Sequence, residues 1–321
     1  MSRGEQKVEG QSHWADIEEA GAYWGLKFLA WIYRLFGRLI CQIAMFPVLV
    51  FFYIFLTNQR SSILSFYEKL CDAAPTKTVS FWSGFSNFLN FGTAALDKLA
   101  AWNGDIRVED VNTTGGIDSL FDLDPDEKGV LLFVSHLGNV EVIRAVAGLN
   151  FDRVVNVLVH TKHAGKFNNI LKKFNPGSQL KLIEVTEVNP AVAADLKSKI
   201  DRGEWVVIAA DRPPVRDRHN VVQVPFLGNR APFAIGPYIL AHILECPVYT
   251  VACLLKHGVY NVIWEKMADQ IKLSRKNREE EVFYWAVKYS SWLEELAQEY
   301  PEQWYNFFDF WSKPVELDHA K

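Results

Sequence analysis

One short block carries the residue types that acid–base chemistry needs: Ser135-His136-Leu137-Gly138-Asn139-Val140-Glu141. An imidazole beside a carboxylate is a general-base pair. The ring takes a proton from a hydroxyl as that oxygen attacks a carbonyl, and the carboxylate fixes the tautomer and stabilises the imidazolium. The spacing alone is weak evidence. The chain has 8 histidines, and with about one residue in eight acidic, roughly one His-x4-Glu/Asp match arises by chance. His13 and Glu18 share that spacing in a polar stretch. Position separates the two, because only His136 follows a strand-like apolar run, Gly129–Val134, and opens a helical one. Gly138 permits a tight turn and Asn139 suits a helix N-cap, which places Glu141 in the first turn and able to fold back toward the ring. A histidine satisfied inside the core is the competing reading.

Three further groups could touch a substrate. A strand expected over 205–210 ends in Asp211-Arg212-Pro213-Pro214. Arg212, Arg216, Arg218 and Arg230 crowd the following stretch and could receive a phosphate or a developing oxyanion. For Arg216 and Arg218 a solvated loop is an equal reading. His160 and His163 stand beside Lys162 and Lys166. A metal pair is conceivable there, but no third ligand has recognisable spacing. Contact with a phosphate or an acidic substrate is the better functional reading, and a surface loop is a better reading still. The chain lacks a Gly-x-Ser-x-Gly elbow, a Walker loop, Gly-x-Gly-x-x-Gly and His-Glu-x-x-His. Serine hydrolysis, nucleotide-driven transfer and zinc proteolysis lose their usual signals.

The elements that must position these residues follow from periodicity. After Trp102, β-branched runs at 129–134, 153–160, 180–186 and 205–210 alternate with helical stretches at 139–149, 164–173 and 190–200. A loop, a helix near 232–244 and strands near 247–255 and 258–265 come next. Strands separated by helices give βαβ units and a mostly parallel mixed sheet flanked by helices, with the site at the carboxyl ends of the strands. A helix over 282–296 is expected to pack across that sheet, with Glu279–Glu281 at its favourable end.

The ends of the chain differ from its middle. Residues 1–102 hold 20 aromatics and residues 283–311 hold 12, while the 180 residues between hold only 12. An excess of this kind at the ends points to contact with something apolar. Leu39–Gln59 contains no charged residue, is flanked by Arg34, Arg38 and Arg60, and has Trp31, Tyr33 and Phe36 at its first boundary. Roughly 20 such residues span a hydrocarbon core, so a membrane-embedded or interfacial helix is expected, with a buried core helix as the alternative. Pro47 and Gln42 argue against a simple straight span. The acidic residues before the run and the lack of a small-residue cleavage site speak against a cleaved signal. Phe81, Phe85, Phe88, Leu89, Gly92, Leu96 and Leu99 form one helical face, best read as packing on the main domain.

A net charge of −4 at pH 7 argues against nucleic acid as a partner. The four cysteines, Cys41, Cys71, Cys246 and Cys253, are too scattered for a disulfide framework. The expected organisation is a loose tail over 1–21, an anchoring helix over 22–60, and an amphipathic helical segment over 61–102. An α/β domain over 103–313 and a tail over 314–321 complete it.

These blocks together resemble the lysophospholipid acyltransferase superfamily, and within it the bacterial lipid A biosynthesis acyltransferases. The resemblance rests on an N-terminal apolar helix, His136-x4-Glu141 after an apolar strand, and Asp211-Arg212 after another. It also rests on Val224-Pro225-Phe226-Leu227-Gly228, a small-residue helix, and a closing Pro301-Glu302-Gln303-Trp304. Together they cover roughly residues 22–311. The resemblance implies a glycerol-3-phosphate acyltransferase-like α/β fold and transfer of a fatty acyl group from a thioester to a hydroxyl of a lipid or glycolipid. The thioester would be on acyl carrier protein or coenzyme A. His136 would be the base and Glu141 its partner. Asn139, His160, Lys162, Asp211, Arg212, Pro225, Phe226, Gly228 and Arg230 would shape the substrate site. No metal or resident cofactor is implied, since coenzyme A or the carrier protein enters as co-substrate. The implied setting is the cytoplasmic face of a bacterial inner membrane. His160-Thr161-Lys162-His163 stands where lipid A enzymes carry a Tyr-Arg-Pro-like segment. In this the chain is closer to acyltransferases of aryl polyene or related glycolipid pathways, and the acceptor stays open. A lipid or thioester hydrolase on the same site, and a non-catalytic membrane-tethered lipid-binding protein, are the alternatives.

Overall fold

The structure is a computed structural model that describes residues 22–74, 80–103, 105–106, 110–114, 128–140, 142, 153–159, 180–184, 189–213 and 220–311. Most of the helix expected over 139–149, all of that over 164–173, and both tails lie outside these residues. So do Glu141, His160, Lys162, His163, Lys166, Arg216 and Arg218.

Three helices come first: α1 (Ala22–Phe55), α2 (Thr57–Ala73) and α3 (Phe81–Asn103). The strands are β1 (Val111–Thr114), β2 (Leu131–Val134), β3 (Val155–Val159), β4 (Leu180–Glu184), β5 (Trp205–Ala209), β6 (Val221–Phe226), β7 (Asn229–Ala234), β8 (Val248–Lys256) and β9 (Val259–Ala268). Between and after them stand α4 (Pro190–Asp201), α5 (Gly236–Leu244) and α6 (Arg278–Glu299), followed by a 3-10 turn at Pro301–Gln303. Seven strands form one sheet in the order β1-β9-β8-β2-β5-β3-β4, parallel except for the β8–β9 pair. The expected α/β class and mostly parallel mixed sheet are observed.

The centre of that sheet is buried on both faces, so its strands read as continuous apolar runs. Side chains alternate between two cores. Leu131, Phe133 and Val206 face one core, while Val130, Leu132, Val134, Trp205 and Val207 face the other. On the first face Tyr289 of α6 packs edge-on against Phe133 and donates from its hydroxyl to the Val134 carbonyl at 2.9 Å. The C-terminal aromatics therefore cover the sheet, as their spacing predicts. Gly129 enters β2 because nothing larger fits: a Cβ there would lie 1.8 Å from the Glu204 carbonyl oxygen.

Two expectations need correction. The stretch expected as a loop and a helix over 232–244 is instead the antiparallel hairpin β6–β7, standing apart from the main sheet, and the helix begins at Gly236. Its turn places Leu227 and Gly228 at φ 49 and 70, the positive values a two-residue hairpin turn requires. Leucine conceals that turn from a sequence reading, which looks for Asn-Gly or Asp-Gly. Pro225 and Pro232 conceal the strands, being tolerated in a two-stranded ribbon that belongs to no larger sheet. The second departure is the four-residue edge strand β1, which pairs in parallel with β9 ahead of the first expected strand.

Helix α1 is interrupted at Gly37 (φ 74, ψ −178), and Pro47 lies inside its second part. Leu35–Phe55 is long and apolar enough to cross a membrane by length and composition. One stripe of it, Cys41, Leu49 and Tyr53, is buried. That stripe meets α3 where glycines let the backbones approach: a Cβ on Gly92 would lie 2.8 Å from Leu49 Cδ1, and one on Gly84 2.9 Å from the Tyr53 hydroxyl. Helix α3 buries Phe85, Phe88 and Leu96 in turn. It ties to the closing block through Asn87, whose Nδ2 donates to the carbonyls of Pro301 and Trp304 at 3.0 Å each. The expected packing of this helix on the main domain is observed.

Thermal denaturation checks the close approach at Gly129. Gly129→Ala forces β2 and β5 apart and is expected to cost about 2–4 kcal/mol, in the range of severe core substitutions. Gly236→Ala, where a Cβ meets nothing within 4 Å, is expected within about 0.5 kcal/mol of the unsubstituted protein.

Candidate active site

In the register of β2 and β5, Val134 lies beside Ala209. Each strand runs two residues further to a titratable group, His136 on one and Asp211 on the other. The Ala210 amide continues the ladder by donating to the Val134 carbonyl at 2.9 Å. The two side chains then meet. Asp211 Oδ1 lies 2.8 Å from His136 Nδ1, and Oδ2 accepts from the His136 backbone amide, also at 2.8 Å. One carboxylate thus holds both the ring and the backbone of the same histidine. The chain leaves β2 toward β3 on one side and leaves β5 toward β8 on the other, the reversal beside which open α/β sheets bind their ligands, at the carboxyl ends of the strands.

Asp211 is fully buried, while the His136 side chain keeps 33% of its surface exposed. Burial alone would push the Asp211 carboxyl up, but the charge and hydrogen bonds of His136 and the Arg212 guanidinium overcome it and hold the group below the usual carboxylate range. An ionised carboxylate only accepts, so Nδ1 carries the hydrogen and the Nε2 lone pair is left for a substrate proton. Burial, together with the nearby positive charge of Arg212, lowers the His136 pKa below its ordinary 6.5 against the opposing pull of Asp211. The ring is therefore neutral at neutral pH, the state a general base requires.

Arg212 is held beside this pair. Its Nε donates to Asn306 Oδ1 at 3.1 Å and its Nη2 to the Tyr305 carbonyl at 3.4 Å, with the guanidinium 5.6 Å from the Phe308 ring centroid. Burial brings its pKa down to about 10, so the charge persists. Asn306 also reaches Asp211, its Nδ2 donating to Oδ2 at 3.4 Å.

The loop that carries His136 is clamped from two directions. Gly138 takes φ +77, and a Cβ there would lie 2.1 Å from the Cys253 carbonyl oxygen. Only glycine satisfies both conditions. The Gly138 amide donates to the Gln303 carbonyl and the Tyr305 amide to the His136 carbonyl, each at 2.9 Å. Gln303 completes the clamp: its side chain accepts from the Leu255 amide at 2.9 Å and donates to the Leu255 carbonyl at 2.8 Å. Trp304 beneath is 1% exposed. It stacks on Phe66 of α2 at 5.7 Å and meets Phe226 of the hairpin at 5.5 Å. The sequence marks Pro301–Trp304 as a block but assigns it no role. Gln303 belongs to that block, while Tyr305 and Asn306 escape a sequence reading altogether, since no periodicity or spacing places them against His136.

The residues expected to line the pocket divide. Asp211 and Arg212 stand with His136, and Asp211 rather than Glu141 is the carboxylate seen on Nδ1; Glu141 lies outside the described residues, as do His160 and Lys162. Asn139 directly precedes the helical Val140, and its side-chain nitrogen is turned away from the His136–Asp211 pair. Its Nδ2 donates to the Ala94 carbonyl at 2.9 Å and to the Tyr260 hydroxyl at 3.4 Å. Phe226 is fully buried among Phe233, Trp304, Phe310 and Trp311, so it supports the hairpin and presents no face to a ligand. Pro225, Gly228 and Arg230 are exposed on that hairpin. It is tied to α6 by the Leu227 amide donating to Glu294 Oε2 at 2.7 Å and the Ser290 hydroxyl donating to the Pro225 carbonyl at 3.1 Å. Among the described residues no group of three or more His, Cys, Asp or Glu side chains could hold a metal ion.

A pH–rate profile checks the pair. Because the neutral ring is the active form and its pKa is depressed, kcat/KM should rise with pH through a midpoint below 6.5 and stay level above it. Asp211→Asn removes the influence that raises the ring's pKa, so the midpoint moves further down while the plateau drops about 10²–10⁴-fold. Glu141→Gln is expected to cost less than Asp211→Asn. The reverse ranking would transfer the orienting role to Glu141.

No curated protein sequence matches the chain. The bacterial lipid A biosynthesis acyltransferase family matches residues 86–313. That span runs from α3 through the whole sheet, the hairpin and the closing block, and it contains His136, Asp211 and Arg212. A match over more than half of the chain, on this sheet, establishes that the protein belongs to the bacterial lipid A biosynthesis acyltransferase family and is an acyltransferase.

Proposed function

We propose that the protein is a membrane-associated O-acyltransferase that moves a fatty acyl group from an acyl thioester to a hydroxyl of a lipid or glycolipid. The observation that carries this reading is the buried Asp211 carboxylate fixing a neutral His136 at the carboxyl ends of two adjacent parallel strands. In the proposed reaction the acceptor hydroxyl attacks the thioester carbonyl carbon while His136 Nε2 takes its proton. The carbonyl oxygen gains negative charge, which the Arg212 guanidinium offsets. As the tetrahedral centre collapses, the carbon–sulfur bond breaks and the thiolate leaves with the proton from the imidazolium. The products are an ester and a thiol on acyl carrier protein or coenzyme A. Glu141 is proposed as a second carboxylate near the imidazole. His160, Lys162 and Arg230 are proposed as cations for an acidic acceptor.

The setting we propose is the cytoplasmic face of a bacterial inner membrane, with Leu35–Phe55 in lipid. Support comes from the outer side of α1, where Leu39 is 69%, Ile43 64% and Phe55 64% exposed. Fully burying each such side chain is worth about 1.5–3 kcal/mol, and lipid supplies that burial. Trp82 and Phe91 of α3 are also exposed.

Lipid mass spectrometry on a deletion strain, complemented with the unsubstituted gene or with His136→Ala, tests the reaction. A lipid that lacks one acyl group in the deletion strain and in the His136→Ala strain, and regains it with the unsubstituted gene, is expected. Full restoration by His136→Ala would overturn the mechanism. For the setting, Ile43→Lys with Phe52→Lys is expected to shift the protein out of the carbonate-resistant membrane fraction. An unchanged distribution would overturn the embedding of α1.

A further inference from the structure

Away from the His136–Asp211 pair, a second buried carboxylate organises a separate set of contacts. Asp97 of α3 is fully buried. Arg38, the residue that follows the Gly37 interruption in α1, places Nη2 2.8 Å from Asp97 Oδ1 and donates to Oδ2 at 3.0 Å. From the opposite side the Tyr260 hydroxyl of β9 donates to Asp97 Oδ2 at 2.7 Å. That same hydroxyl accepts from Asn139 Nδ2 at 3.4 Å. Asn139 in turn is pinned to β8 by its own amide, which donates to the Cys253 carbonyl at 2.7 Å. It follows Gly138 directly, three residues after His136. An unbroken set of polar contacts therefore links the apolar helix to the loop that carries the candidate base.

The chemistry of this set suits a positioning role. A buried carboxylate is costly unless it is paired and hydrogen-bonded. Burial raises the Asp97 pKa, while the Tyr260 hydroxyl and Arg38 oppose the rise. Each partner therefore offsets part of the cost of burying the carboxylate. Tyr260 is 5% and Asn139 6% exposed, and water has little access to replace either contact. None of the four side chains bonds to His136, Asp211 or Arg212 in the contacts described above, which sets them apart from the acid–base pair. A helix seated in lipid has a fixed depth. A polar link from its Arg38 gives the active-site loop a fixed relation to that depth, where a lipid hydroxyl has to arrive.

We propose that Arg38, Asp97, Tyr260 and Asn139 are positioning residues that hold the His136 loop in register with the membrane-side helix α1. The proposal rests on the acyl-transfer reading for its kinetic consequence, and on geometry alone for its structural one. The test uses the full chain in bilayer nanodiscs and two readouts. The first is kcat and KM for acyl transfer. The second is hydrogen–deuterium exchange of the peptide covering 135–140, which needs no turnover. Tyr260→Phe keeps the ring and loses only the hydroxyl, so it folds even where Arg38→Ala, by stranding a buried charge, does not. Tyr260→Phe and Arg38→Lys are each expected to lower kcat about 10- to 100-fold, the scale of a small misplacement of a reacting group, with KM changed less than threefold. Each is also expected to speed exchange over 135–140. The double variant is expected to be no slower than the slower single one, since both break the same link. Tyr33→Phe removes the tie from Tyr33 to Asp105, on the far side of the Gly37 interruption, and is expected to leave both readouts unchanged. Unchanged exchange in Tyr260→Phe and Arg38→Lys would overturn the link whether or not the protein transfers acyl groups. Fully multiplied losses in the double variant would also overturn it. Absence of acyl transfer by the unsubstituted protein would overturn the function instead, with the exchange readout still deciding the link.

Discussion

The double hydrogen bond between Asp211 and His136 is the contact on which the rest of the site depends. A carboxylate with no exposed surface survives inside a protein only if its charge is met at close range. Here the backbone amide and the ring of one histidine meet it, with Asn306 and the Arg212 charge beside them. The arrangement works in both directions. His136 and Arg212 keep Asp211 ionised, and Asp211 dictates which ring nitrogen carries hydrogen. Holding the backbone amide as well as the ring means that the strand end and the side chain cannot be reoriented separately.

The surrounding structure protects that geometry by clamping the His136 loop from opposite sides. Gly138 lies against Cys253 of β8, and Gln303 spans Leu255 two residues further along the same strand. The C-terminal chain passes over the loop in an antiparallel bridge between Leu137 and Trp304. Trp304 then transmits packing in two directions, to Phe66 of α2 and to Phe226 of the hairpin. The helices near the N-terminus, the hairpin and the C-terminal block converge on one indole ring under the site.

The aromatic imbalance acquires two separate causes. At the C-terminal end the rings are mostly internal: Tyr289, Trp304, Phe308 and Phe310 are buried against the sheet and the hairpin. Near the N-terminus Phe66 and Tyr67 of α2 are equally internal, whereas Phe36, Phe46, Phe51, Phe52 and Phe55 of α1 face outward. Composition reports both as the same excess, because it counts rings without saying which side of an interface they occupy. Hydrophobic burial inside the fold accounts for the first set, whereas the second keeps about half of its surface exposed even where, as in Phe46 against Phe85, one edge meets α3.

The sequence by itself determined the α/β class, six of the seven strands of the main sheet, the packing faces of α3 and α6, and the place of His136 just past a strand. These follow from local properties: side-chain period, β-branched runs, and the few residues that a tight turn admits. It did not determine the hairpin, whose Leu227-Gly228 turn and two prolines carry the wrong local signals. Nor did it determine the partner of His136. Spacing singles out Glu141, five residues away in the chain and outside the described residues, and gives no sign of Asp211, 75 residues away, whose carboxylate lies on Nδ1. Only the order of strands decides that contact, because β5 inserts between β2 and β3 and sets the two strand ends side by side. Strand order is a property of how helices and strands pack into a closed core, and no window of sequence contains it.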